Sequence, residues 1–132
     1  MSTDDILIPL IQSDCKIVNL SVNQFPILAN ISLESENLKL QTDIMIKEFP
    51  IIDILKQKKF KTLTIEVIIF KGPGEALDTS FNYVMLGHMY ERSPNKENTF
   101  KVSFGGMLCE FTADVHLNEM DEIGMGLKIN IN

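Results

Sequence analysis

Residues 99–117 read TFKVSFGGMLCEFTADVHL. Phe100, Val102 and Phe104 alternate with Thr99, Lys101 and Ser103 before Gly105-Gly106. After the glycines, Met107, Cys109, Phe111, Ala113, Val115 and Leu117 alternate with Glu110, Thr112, Asp114 and His116. A strand sends successive side chains to opposite faces, so each run has one apolar and one polar face. Two adjacent glycines supply the positive φ angles that a tight two-residue turn demands. The stretch therefore predicts an antiparallel hairpin over 99–117 with one face in a core and the other in water.

The same period of two recurs on either side. Phe25, Ile27, Ala29, Ile31 and Leu33 form one stripe, and Leu38, Leu40, Thr42, Ile44 and Ile46 form the next, separated by the polar loop ESEN at 34–37. Leu63, Ile65, Val67 and Ile69 alternate with Thr62, Thr64 and Glu66, and Met125, Leu127, Ile129 and Ile131 alternate with Gly126, Lys128 and Asn130. Residues 81–90, FNYVMLGHMY, are apolar on both faces, which predicts a central strand or one covered by another element. Val18, Leu20 and Val22 make a short strand. Pro9 interrupts DILIPLIQ and removes a ladder donor, so residues 1–12 read as an irregular arm or edge strand. One short helix is predicted over about 50–58, with Pro50 in its first turn, Ile51, Ile54 and Leu55 on one side and the cations of KQKK near its end.

The expected architecture is one mainly β domain spanning 1–132, an antiparallel β-sandwich or partly closed barrel of seven to eight strands with one short helix. An OB-type barrel also places a helix between its third and fourth strands, but the strands after residue 99 exceed that plan. Glycines have structural readings: Gly87, Gly124 and Gly126 mark a bulge or a close approach inside a strand.

Composition narrows the function classes. The formal net charge of −6 disfavours DNA and acidic membrane as partners, and Arg92 is the one arginine, which leaves little of the bidentate chemistry that phosphate sites use. No apolar run approaches the roughly 20 residues of a membrane span. The start, MSTDDILIPLIQ, has no basic segment of the kind that opens a secretory signal, so a reduced, cytoplasmic setting (or the inside of an assembled particle) is expected. The glycosylation patterns at Asn19 and Asn30 then read as chance.

Candidate sites are few. Lys56, Lys58, Lys59 and Lys61, with Phe60 among them, form the strongest cationic cluster and would suit a nucleic acid or an acidic partner, although lysines at a helix end are also an ordinary solvated feature. Glu110, Asp114 and His116 share a strand face and, with His88, are the candidate metal ligands; no ligand spacing declares a metal or other cofactor there. Cys109 falls on the apolar face, where a thiol is inert, and Cys15 falls in an expected loop where it could react. No serine occupies a glycine elbow, and no catalytic residue is assigned. The segment FKGPGEALDTS at 70–80 resembles a phosphate loop only superficially. Pro73 removes a donor, Glu75 and Asp78 repel a phosphate, and no helix follows. It predicts a connection from Gly72 to Ser80 that protrudes as an acidic contact loop, with Pro73, Gly74, Glu75 and Asp78 at its tip.

The expected function is a non-catalytic structural or protein-interaction subunit, joined to itself or to another protein through open strand edges. Viral and phage shells built of single β domains are an analogy at the level of fold only. Two alternatives stand beside it. One is a nucleic-acid-binding barrel using Lys56–Lys61. The other is a small barrel enzyme or apolar-ligand carrier with a cavity lined by Tyr83, Met85 and Phe104.

Overall fold

The structure, a computed structural model, describes residues 6–22, 28–45, 47, 49, 63–81 and 83–131. The expected helix over 50–58 and the Lys56–Lys61 cluster lie outside the described residues. Eight strands follow in chain order: β1 Ile8–Val22, β2 Leu28–Glu34, β3 Lys39–Met45, β4 Leu63–Lys71, β5 Tyr83–Arg92, β6 Thr99–Phe104, β7 Met107–Thr112 and β8 Glu122–Ile131. All pairings are antiparallel, and the order β1-β2-β3-β7-β6-β5-β8-β4 closes on itself as a barrel. The mainly β reading holds, and of the two architectures it allowed, the barrel is formed and fully closed.

The hairpin predicted from 99–117 is β6 and β7. Phe104 pairs with Met107 across Gly105 and Gly106, whose φ angles of 62° and 97° suit a primed turn. β7 ends at Thr112 rather than continuing to Leu117. Beyond it the Ala113 N–H turns to the Asn98 carbonyl and the Val115 N–H to the Ala113 carbonyl, so no ladder continues. The alternation of burial nevertheless persists, with Ala113 and Leu117 buried and Asp114 and His116 exposed.

β1 closes the barrel by changing partners. Ile8–Cys15 pair with β4 and Lys16–Val22 pair with β2. Of the two readings of the start, irregular arm or edge strand, residues 8–12 take the second: they are strand and pair with β4 on one side. Pro9 sits where the β1–β4 register shifts, between Pro9 and Ile11, a place where a missing donor is tolerated. Closure limits the expected open edges without removing them. The two neighbours of β1 take different halves of it, so Ile8–Asp14 are bonded to β4 and Lys16–Val22 to β2, each with no described strand opposite.

Inward side chains fill the barrel, as eight strands permit. The Phe100 and Phe111 rings stand 5.3 Å apart, and Phe49 and Tyr83 5.2 Å apart. Met85, Met89 and Met125 fill the core, whereas Met45 and Met120 are exposed. Cys15 lies inside β1 and is fully buried, which corrects its placement in a reactive loop. Burial pushes its thiol pKa up and pushes that of Cys109 up to about 12.

A second, smaller core lies outside the barrel wall. Ile68 and Phe70 of β4 point outward and are covered by Phe81, Leu77 and Leu7. The positions of β8 that would obstruct them are glycines. A Cβ at Gly126 would lie 2.7 Å from Leu77 Cδ2, and one at Gly124 would fall 2.6 Å from Phe70 Cε2. Gly87 likewise marks a close approach, since a side chain there would strike the Ser103 carbonyl of β6.

Candidate functional site

The 72–81 connection determines the shape of the most prominent surface feature. Gly72, at φ 112°, turns the chain off the end of β4 against the Ile6 carbonyl, where any Cβ would clash. A single 3-10 turn follows at Gly74–Ala76. Leu77 and Phe81 then anchor the connection to the second core. The connection is exposed along most of its length, and its apolar residues hold it against the barrel. Its acidic residues remain in water. Asp78 Oδ1 accepts the Ser80 N–H at 2.9 Å, and this bond holds its carboxyl pKa below the ordinary range.

Between this connection, the start of β1 and the outer face of β5 lies an open groove of about 1090 Å³. Pro73, Gly74 and Glu75 line it, whereas Asp78 does not. β5 is apolar on both faces, as expected, but no described element covers its outer side. Tyr83, Met85 and Met89 point into the core, while Val84, Leu86 and Tyr90 are 39%, 55% and 42% exposed. Ile6, Ile8 and Met120 extend the apolar surface across the groove. Met120 is 69% exposed and has φ 70°, a left-handed conformation that costs a residue with a Cβ about 1–2 kcal/mol. Its N–H donates to the Met89 carbonyl at 2.7 Å, which fixes it beside β5.

The polar side chains that line the groove are Lys71, Glu75, His88, Tyr90, Ser103 and Glu122. Lys71 Nζ is engaged with Asp121 Oδ2 at 3.1 Å. Asp121 also accepts the Asn118 N–H at 2.8 Å, and that bond, with Lys71 second, holds its carboxyl pKa low. Glu122 contacts His88 Nε2 at 3.4 Å, and its side chain is 86% exposed. Glu75 is exposed and forms no ion pair among the described residues.

Ser103, His88 and Glu122 are cross-strand neighbours on β6, β5 and β8 and all line the groove, a row that neither the motifs nor the spacing revealed. Only strand register brings them together. Ser103 Oγ accepts the Gly106 N–H at 3.3 Å, and no hydrogen bond joins it to His88 among the described residues. The row thus lacks the nucleophile-to-base hydrogen bond that activates a serine. Glu110, Asp114 and His116 do not converge, and no metal-holding group of three or more His, Cys, Asp or Glu is present among the described residues. Arg92 is committed to structure: its Nη2 donates to the Leu117 carbonyl at 2.9 Å and its guanidinium lies 5.5 Å from the Phe100 ring centre. Tyr83, Met85 and Phe104, the expected lining of a ligand cavity, are buried in the main core and do not line the groove.

Among the described residues, no helix is long and apolar enough to cross a membrane. Comparison with protein-family models and with curated proteins finds no match to this chain.

Proposed function

We propose that the chain is a non-catalytic interaction subunit that docks a protein partner on the outer face of β5. The observation that carries this reading is the uncovered apolar row Val84, Leu86 and Tyr90 beside the groove. An outward strand face in water is ordinarily polar, and on β7 Glu110 and Thr112 follow a single exposed apolar residue, Leu108. Contiguous apolar surface with a polar rim marks interaction sites, and aromatic and methionine side chains are enriched in the cores of interfaces. Docking by side chains replaces the expected joining of strand edges, because barrel closure consumes most of those edges.

Site-specific photo-cross-linking tests the reading. A cross-linking side chain at Leu86, in the cells that express the protein, should yield a discrete protein adduct. The same group at Asp14, between exposed Gln12 and Lys16 on β1, should not. Adducts from position 14 alone, or from both equally, would sink the proposal.

A further inference from the structure

We infer that the groove takes an apolar peptide segment carrying a lysine or arginine. This deepens the docking reading above and rests on it. The floor is Ile8, Leu86, Tyr90 and Met120, and two carboxylates, Glu75 and Glu122, stand among them. Lys71 is the one lysine or arginine lining the groove among the described residues, and Asp121 already holds it at 3.1 Å. Among the described residues His88 is the one ion-pair partner of Glu122, and an imidazole carries full charge only when protonated. An occupant therefore meets two carboxylates and no unengaged lysine or arginine.

The field of the whole chain, at net −6, has the same sign, so anionic segments and phosphate backbones are repelled from this face. Lysine and arginine fit such a surface in both parts. Their stems are apolar and lie along aliphatic and aromatic side chains, while the head reaches a carboxylate. The exposed Tyr90 ring offers the cation a second attraction through its face. Each carboxylate is exposed, so one charge pair changes affinity by roughly 1.5- to 5-fold, and its larger effect is on selectivity and on salt dependence.

Panning a phage library of random peptides, each roughly 12 residues long, tests the inference, since that length spans a groove of this kind in extended form. The intact protein is the bait, and the double variant Leu86→Asp/Tyr90→Asp serves for counter-selection. Thermal unfolding establishes that this variant is folded, and Leu86→Ser/Tyr90→Ser replaces it if it is not. The expected result is enrichment of peptides that combine apolar residues with lysine or arginine. Their binding should weaken by about fivefold or more in Glu75→Lys/Glu122→Lys, because two attractions become repulsions. It should also fall as salt rises. Enriched apolar peptides with no cationic bias, or with an acidic one, would overturn the charge assignment and leave docking on β5 intact. Failure to enrich any peptide against the double variant would overturn docking itself.

Discussion

At the scale of the residue, the glycines of this chain divide into two kinds. Gly105 has nothing near the place of a Cβ and is needed only for its φ of 62°. Gly124 has no such angle and is needed for space, because Phe70 occupies the site of its missing side chain. Gly124→Ala should therefore cost about 1–3 kcal/mol through overpacking. Combining it with Phe70→Leu should be less than additive, since the ring that clashes is gone. Chemical denaturation of the two single variants and the double variant measures this. Strict additivity would show that the ring is not the cause. The cysteines carry a second expectation. Both are buried with raised thiol pKa values, so neither should react with a thiol reagent at pH 8 in the folded protein, and both should react in denaturant. One thiol titrating rapidly in the native state would contradict the placement of Cys15 inside β1.

Among the elements, the 72–81 connection is where sequence reasoning was least complete. Its composition of glycine, proline and acids describes a turn correctly, but Phe81 reads as the start of the next strand and Leu77 carries no signal of its own. An isolated apolar residue in a loop has no period, so no pattern distinguishes an anchor from a chance exposure. The signal was present in β4, whose Ile68 and Phe70 make the outer face apolar where Thr64 and Glu66 make it polar. An apolar outer face needs a cover, and the connection supplies it. Leu77→Ala should destabilise the fold by about 1–2 kcal/mol, less than for a fully buried leucine, whereas Glu75→Ser should leave stability within about 0.5 kcal/mol. Deleting 73–78 should unfold part of the domain by uncovering Phe70, rather than merely weakening a contact. Thermal melts of the three variants decide the matter, and an unchanged midpoint for Leu77→Ala would remove the second core from the account.

For the molecule as a whole, local pattern and global arrangement contribute different things. The period of two in residues 28–45, 63–71 and 99–112 determined that these segments are strands, which faces turn inward, and where the two tight hairpins fall. These properties depend on neighbours two residues apart, and backbone geometry alone transmits them. The apolar character of both faces of β5 was legible too, but not what lies over them. Closure of the barrel, the change of partner within β1, the Ser103–His88–Glu122 row and the groove between Ile6, Glu75 and Tyr90 join residues far apart in the chain. Such contacts follow from strand order and register, which are set by how the whole apolar surface is buried at once. The sequence by itself thus determined the strands and their inward faces. Only the tertiary structure decided that Val84, Leu86 and Tyr90 on the outer face of β5 stay exposed among the described residues, because burial is a property of the assembled barrel and not of any one strand.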